Sequence, residues 1–535
     1  MGRAAATRLA ILVLLGASAC SALDEALPED VDDGFVVDDG KADDFFSLKA
    51  KEFVVTSTGR ITAEEGATPA RVKKLIGLEH TAITWFLNQY LVDKERDGMH
   101  PDENADYGGF AAMVKDGAFQ DFQITQRNAT TWDFKFEQVI AGRKNLMSKL
   151  PLNARGEFDV EIGRPTNDEM EHDAEWYRKA PWDGWNPANV AASKKQTLTF
   201  AIREETKSTD GWWDYKRLFE DGVLTIDVHF GYDYNVEAAH LADSKALYRW
   251  LVDRGFRSPV SSYDKYTRTS GALTRTLDAD GRSVKVEVRF FYGRLGTSTD
   301  PDTDAGGKLM EKDMLGSLAT RDVIVYSGHS GPLYGFSLAN WDKTDEGDID
   351  DVELAVAQLA RGKYQIVFAE GCNTYMLGGA LMNNPNKMGK DIDVITTTSF
   401  SVSYSPVEDF LGRLLEIDSQ ARHRPRTMAQ TLEDLDLYSV GEASATMYGI
   451  HGIDDNPKLH PYANLENSCK KCSSTSTCGG VGNACVSIGT SGRRCVAACT
   501  DDSACGEGYK CKPVASASTS TIYGSYCVPA SRTCE

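Results

Sequence analysis

Short apolar runs that stop abruptly at small residues recur through the middle of this chain. Two of them are Arg321-Asp-Val-Ile-Val-Tyr-Ser-Gly-His329-Ser-Gly331 and Tyr364-Gln-Ile-Val-Phe-Ala-Glu-Gly-Cys372. A run of β-branched and aromatic residues followed by turn residues predicts a strand buried on both faces, as in a parallel sheet. From residue 223 such runs alternate with helical patterns. Strands are predicted at 224–231, 283–291 (after the Asp280-Gly281 turn) and 392–399, besides the two quoted. Helices are predicted at 243–254, 308–319, 351–361, 373–382 and 407–419, two of them stopped by Gly255 and Gly362. This alternation predicts one α/β domain, residues 223–463, with a parallel sheet covered by helices on both faces.

Upstream, residues 45–222 carry a mixed pattern. Strand-like segments lie at 53–61, 119–125, 132–140, 158–162 and 196–203, and one amphipathic helix at 71–91. An α+β or β-rich N-terminal domain with a connector follows. Trp176, Trp182, Trp185, Trp212 and Trp213 cluster in and around the connector, and packing is favoured over a substrate or glycan platform. Residues 464–535 form a third region, rich in Gly, Ser and Thr.

Composition narrows the setting. The chain has 535 residues and a net charge of −21, which argues against nucleic acid as a partner. Residues 1–19 hold two arginines, an apolar run and Gly-Ala-Ser-Ala before Cys20, an export signal too short to span a membrane. Residues 24–44 carry ten acidic side chains against one lysine, so 20–44 is expected to be an extended tether. Ten of the twelve cysteines, 469, 472, 478, 485, 495, 499, 505, 511, 527 and 534, crowd the tail. That density in an exported chain predicts a framework of five disulfides, with connectivity left open; Cys-x-x-Cys at 469 and 472 lacks the βαβ surroundings of a redox motif. Cys372 is then the lone thiol of the body, a buried structural cysteine or a Cys20 bridge being the plainer alternatives.

The chemistry sits where the two quoted strands end. Ligands of open α/β sheets bind outside the carboxyl ends of the strands, and a thiol acts as a nucleophile with a base or a lowered pKa. His329 is the candidate base and Cys372 the candidate nucleophile. The backbone at Ser330, Gly331 and Gly371, with the N–H of Cys372, could hold an oxyanion. Cys372 is expected at a helix N-terminus, which would lower its pKa. Asp322, Asp342 and Glu370 are candidates to orient the imidazole. His229 and His451 read as core or surface residues, although His451 could approach the strand ends. No cofactor is required. Asp300, Asp302 and Asp304, or Asp342, Asp345 and Asp348, offer oxygen ligands resembling a Ca2+ loop, yet lack the bidentate Glu at loop position twelve; solvated loops are favoured. Asn128-Ala-Thr130 fits a glycosylation sequon.

A hydrophobic strand ending in His329, then a second ending in Cys372 after 372 − 329 = 43 residues, resembles the caspase–legumain–gingipain group of cysteine peptidases. The resemblance covers residues 223–463, and Val-Phe-Ala-Glu-Gly-Cys372 is most similar to the Glu-Ala-Cys of legumains. It implies the caspase–hemoglobinase fold, a His329–Cys372 dyad and a thioacyl intermediate on peptide or protein substrates. Two positions depart from the group's pattern: Ser330 stands where the group has Gly, with Gly331 following, and Gly371 replaces the usual Ala. Both substitutions look sterically mild. Ala17-Ser18-Ala19-Cys20 resembles the lipobox of bacterial lipoproteins, lacking its usual Leu, and implies a lipidated Cys20 at the outer membrane or cell surface; cleavage after Ala19 and secretion is the alternative. The tail resembles the cysteine-rich tails of exported myxobacterial proteins and implies adhesion or binding to a surface protein or glycan. The rival to a peptidase is an inactive surface lipoprotein that uses the same scaffold for binding. The specificity pocket is sought at 396–405, a segment without acidic residues.

Overall fold

The computed structural model describes residues 45–534 except 96–112, 115–119, 173–175, 206–207, 233–238, 332–334, 388–389, 399–400, 402–405, 437–446 and 516–521. The export signal, Cys20 and the acidic tether lie outside the described residues. No described helix is long and apolar enough to cross a membrane.

In chain order the strands are β1 (Phe45–Ser47), β2 (Ala50–Thr62), β3 (Met113–Val114), β4 (Gln120–Gln126), β5 (Thr131–Arg143), β6 (Glu157–Gly163), β7 (Lys195–Glu204), β8 (Val223–Phe230), β9 (Leu273–Ala279) and β10 (Arg282–Tyr292). Then follow β11 (Val323–Ser327), β12 (Ser330–Gly331), β13 (Gly335–Ser337), β14 (Asp348–Ile349), β15 (Gln365–Glu370), β16 (Ile392–Thr397) and β17 (Tyr448–His451). The large sheet has eight strands in the order β1-β17-β16-β15-β11-β8-β10-β9. Its five central strands, β10, β8, β11, β15 and β16, are parallel to one another. β9, β17 and β1 pair antiparallel at the two edges, so the sheet is mixed.

The apolar runs behave as their composition demands. Val323 and Val325 enter one hydrophobic core, while Ile324 and Tyr326 enter the other. Alternate side chains of one strand thus feed two buried faces, which is why the run carries no polar period. Helices Ala239–Asp253, Asp304–Leu318, Tyr375–Met382 and Pro406–Leu414 stand near their expected places. The helix expected at 351–361 stops at Val356, although its start is secured by an Asp350–Glu353 capping box. β9, β17 and the helix Met428–Leu435 are additions to the pattern read from sequence.

The N-terminal layer is a second, antiparallel sheet, β3-β5-β2-β7-β6 with β4 on β5, packed on the long helix Pro69–Glu95. Trp176, Trp182 and Trp185 close on Phe86 with ring centroids 6.0, 5.8 and 4.6 Å away; they are core. Trp212 and Trp213 instead join the α/β core, as does β1 through Phe46, so both ends of the segment 45–222 belong to the large sheet's neighbourhood.

The tail carries five disulfides: Cys469–Cys534, Cys472–Cys485, Cys478–Cys495, Cys499–Cys511 and Cys505–Cys527. It is tied to the body where Thr500 N donates to Lys458 O (2.9 Å) and His460 N to Ala498 O (3.0 Å).

Candidate active site

Numbered along the chain, the parallel strands β10, β8, β11, β15 and β16 run second, first, third, fourth and fifth across the sheet. That order reverses between β8 and β11, and a crevice opens at such a switch point, outside the carboxyl ends of the strands. A cavity of about 220 Å³ lies there, its walls drawn from the ends of β8 (Gly231), β11 (Ser327, Gly328, His329) and β15 (Glu370, Cys372). Ala239, His240 and Asp243 of the helix Ala239–Asp253 and the loop residue Ser401 complete it.

β11 and β15 are in direct register, Ser327 opposite Glu370, and Gly328 N donates to Glu370 O at 3.2 Å. The paired register ends there, and His329 and Cys372, two residues past the ends of β11 and β15, both line the one cavity. Both are half-buried. Ser330 and Gly331 form β12, which pairs with Phe336 and Gly335. Ser330 Oγ donates to the carbonyl of Cys372, a cross-link between the two strand ends.

The pair Ser330 and Gly371 turns out to be coupled. A Cβ on Gly371 would meet Ser330 Oγ at 2.5 Å and Gly328 O at 2.8 Å. The substitutions are therefore not independently mild: the serine hydroxyl fills the space that a methyl at 371 requires.

Cys372 departs from the expectation of a helix-lowered pKa. The helix that follows begins at Tyr375 with Thr374 as its cap, and Asn373 takes a left-handed conformation between them (φ 57°). Cys372 thus stands ahead of the helix rather than in its first turn. Burial pushes the thiol up to about 11; its contact with Ser401 O (3.9 Å) opposes this and the neighbouring Glu370 charge adds to it. Cys372 is the free cysteine of the described residues.

Of the three carboxylates considered for the imidazole, only Glu370 reaches the cavity. Asp322 precedes β11 at its opposite end, bound to Thr225 N (2.8 Å) and to Lys363 Nζ (2.7 Å), so five strand residues separate it from the His329 end. Asp342 is exposed on the loop after β13. Glu370 is 2% exposed. It accepts hydrogen bonds from Ser327 Oγ (2.8 Å) and Ser401 Oγ. Burial raises its pKa to about 6, and the charge of Asp243 adds to the rise.

Asp243, His240 and Gly231 are site residues that sequence reading missed. The only available signal was their position just after β8, the first strand of the switch point. The two other histidines weighed from the sequence, His229 and His451, are not in the cavity wall. His229 faces Ser317 Oγ (2.9 Å), stacks on Phe291 and has its pKa lowered to about 4 by burial. His451 pairs in register with Val394, inside β16 rather than at its end, and lies 3.0 Å from Thr396 Oγ1.

The acidic loops engage one another. Asp302 Oδ1 accepts from Asn340 Nδ2 and Asp304 Oδ1 from Thr344 Oγ1, each at 2.7 Å; Asp300 accepts from Gly296 N and Asp302 N. Among the described residues, the groups of three or more metal-type ligands within reach of one another are cysteines 472/478/485 and 499/505/527, all held in disulfides. Asn128 is exposed, its side chain accepting from Thr130 N at 3.0 Å.

No family model, curated protein or solved structure matches this chain.

Proposed function

We propose that the chain is an exported cysteine endopeptidase of the caspase–legumain–gingipain type, with His329 and Cys372 as its dyad and Cys20 as a lipid anchor. The observation that carries the reading is that an imidazole and the body's free thiol line one cavity at the switch point of a parallel sheet. The order of the central strands supports the same reading.

In the reaction, Cys372 Sγ bonds to the peptide carbonyl carbon as its proton passes to His329. Collapse of the adduct breaks the C–N bond and returns that proton to the leaving amine, leaving a thioester on Cys372. Water, deprotonated by His329, then breaks the thioester to free the carboxylate and restore the thiol. Because burial holds the resting thiol protonated, proton transfer accompanies attack instead of preceding it. The test is cleavage of a fluorogenic peptide library by the purified protein and by Cys372→Ala. The variant is expected to lose at least about 1,000-fold in kcat/KM; an equal rate in both refutes the assignment.

The high thiol pKa also favours a second reading, a non-enzymatic surface protein that keeps the scaffold for binding. In that case Cys372→Ala leaves surface binding intact and no peptide is cut by either protein.

A further inference from the structure

A guanidinium drawn out of water onto an apolar surface is costly unless an anion meets it. Two arginines of the α/β body lack that anion. Arg254, just past the helix Ala239–Asp253, and Arg275, on the edge strand β9, both line a cavity of about 400 Å³. Among the described residues neither side chain forms an ion pair or donates a hydrogen bond. Their charges are felt by each other: burial, and after it the charge of Arg254, lowers the pKa of Arg275. Two carboxylates stand in the wall but do not answer them. Glu416 is already bound by Arg413 (3.0 Å), Arg424 (3.7 Å) and Arg426 (2.5 Å), and Asp253 is exposed. The other basic cavity, beside the helix Asp304–Leu318, differs in this respect: there Arg289 and Arg321 share Asp227, and Arg268 pairs with Asp313.

The rest of the wall is largely apolar, with Trp250 and the buried Phe256, Leu411 and Leu415. Each guanidinium is backed by an aromatic face: Arg254 Cζ lies 3.9 Å from the ring centroid of Trp250, and Arg275 Cζ lies 5.8 Å from that of Phe256. A guanidinium placed over a ring keeps its edge N–H groups, which fit the fork of a carboxylate or phosphate. An apolar cavity of small-molecule size with a few convergent polar groups is what a ligand site looks like. We propose that this cavity binds a small amphipathic acid, its carboxylate or phosphate held by Arg254 and Arg275 and its aromatic or aliphatic body against Trp250 and Phe256. The site shares no residue with the cavity of His329 and Cys372, and binding there does not depend on the peptidase chemistry. A neutral ligand of the same shape gains the apolar contacts but forgoes the charge-assisted hydrogen bonds.

The experiment is calorimetry on the full-length protein with four probes: 2-naphthoate, 2-naphthyl phosphate, the neutral 2-naphthalenemethanol and inorganic phosphate. At least one of the two naphthyl acids is expected to bind with a Kd below about 1 mM, and at least about tenfold more tightly than the alcohol. The same acid should lose at least about fivefold in affinity in Arg275→Gln and in Arg254→Gln, while the alcohol changes less than about twofold. Arg254 is exposed, so its replacement reports on binding even if Arg275→Gln disturbs the fold. Which of the two acids binds more tightly decides between a carboxylate and a phosphate head. Absence of binding by both acids overturns the site, as does binding that neither variant weakens. An alcohol as tight as the acids would remove the role of the arginines, and inorganic phosphate as tight as naphthyl phosphate would remove that of the apolar wall; either result overturns the proposal.

Discussion

At the scale of single residues, the site is a set of compromises between burial and charge. Glu370 is held near 6 mainly by burial. A carboxyl whose folded pKa is raised binds more protons folded than unfolded, so stability falls as pH rises from about 4.5 to 6 and is level above. Glu370→Gln removes that cost: it should stabilise the protein by up to roughly 2 kcal/mol at pH 8 and leave it unchanged below pH 4.5, read from urea melts at both pH values. The thiol obeys the same physics. With Cys372 raised from 9.0 to about 11, alkylation by iodoacetamide at pH 7.5 should run about 100-fold slower than for a free thiol and keep rising to pH 10. A plateau near pH 7 would instead reveal a resting thiolate–imidazolium pair. Steric coupling gives a third expectation. Gly371→Ala forces the new methyl against Ser330 Oγ and Gly328 O and should destabilise by about 1–3 kcal/mol. Adding Ser330→Gly should recover part of this loss, a double-mutant cycle that two independent sites would not produce.

At the scale of elements, β1 is the least expected piece. Its three residues close the sheet edge along β17, with Phe45 opposite His451 and Phe46 opposite Ile450. The chain then crosses directly into β2 of the N-terminal sheet. Phe45 stacks edge-on against Tyr375, ring centroids 5.3 Å apart, and the Tyr375 hydroxyl donates to Glu52 Oε1 at 2.6 Å. Tyr375 opens the helix that follows Cys372, so the N-terminal layer bears on the same segment that positions the thiol. Tyr375→Phe leaves the ring in place and removes this one hydrogen bond to Glu52; a loss of about 1–2 kcal/mol is expected from chemical denaturation. A purely peripheral N-terminal layer would register no change. The shortened helix Asp351–Val356 shows where local signals end: its apolar pattern runs on to Leu359, but the backbone turns extended at Ala357. Asn384 Nδ2 then binds the carbonyls of Leu354 and Ala357, replacing the helical bonds from a distance of some thirty residues.

At the scale of the whole molecule, three architectures share one chain with different means of stabilisation. The α/β body has two apolar cores, one on each face of its sheet. The tail has mainly its five disulfides, consistent with a region too small to bury a core of its own. Mild reduction should therefore abolish hydrogen-exchange protection across residues 469–534 while amides of β8, β11 and β15 stay protected; simultaneous loss would show that the tail supports the body. Much of this plan was legible in the residues. Runs such as Val-Ile-Val-Tyr and Ile-Val-Phe-Ala are apolar without a period, and only a doubly covered strand satisfies them. The crowding of ten cysteines in the tail announced disulfides, and two reactive side chains at consecutive strand ends marked the candidate site. Pairing order and charge environment were not legible, because they depend on which distant segments meet. Nothing local to Asp243 distinguishes it from other helix-surface acids, and nothing local to Glu370 says that it is buried. The order of strands made a cavity between β8 and β11, and that cavity turned two ordinary carboxylates into neighbours. Local sequence determined which segments became strands, because side-chain patterning acts over a few residues. Tertiary structure alone decided the site's electrostatics, because burial and Coulomb interactions depend on everything within reach in space.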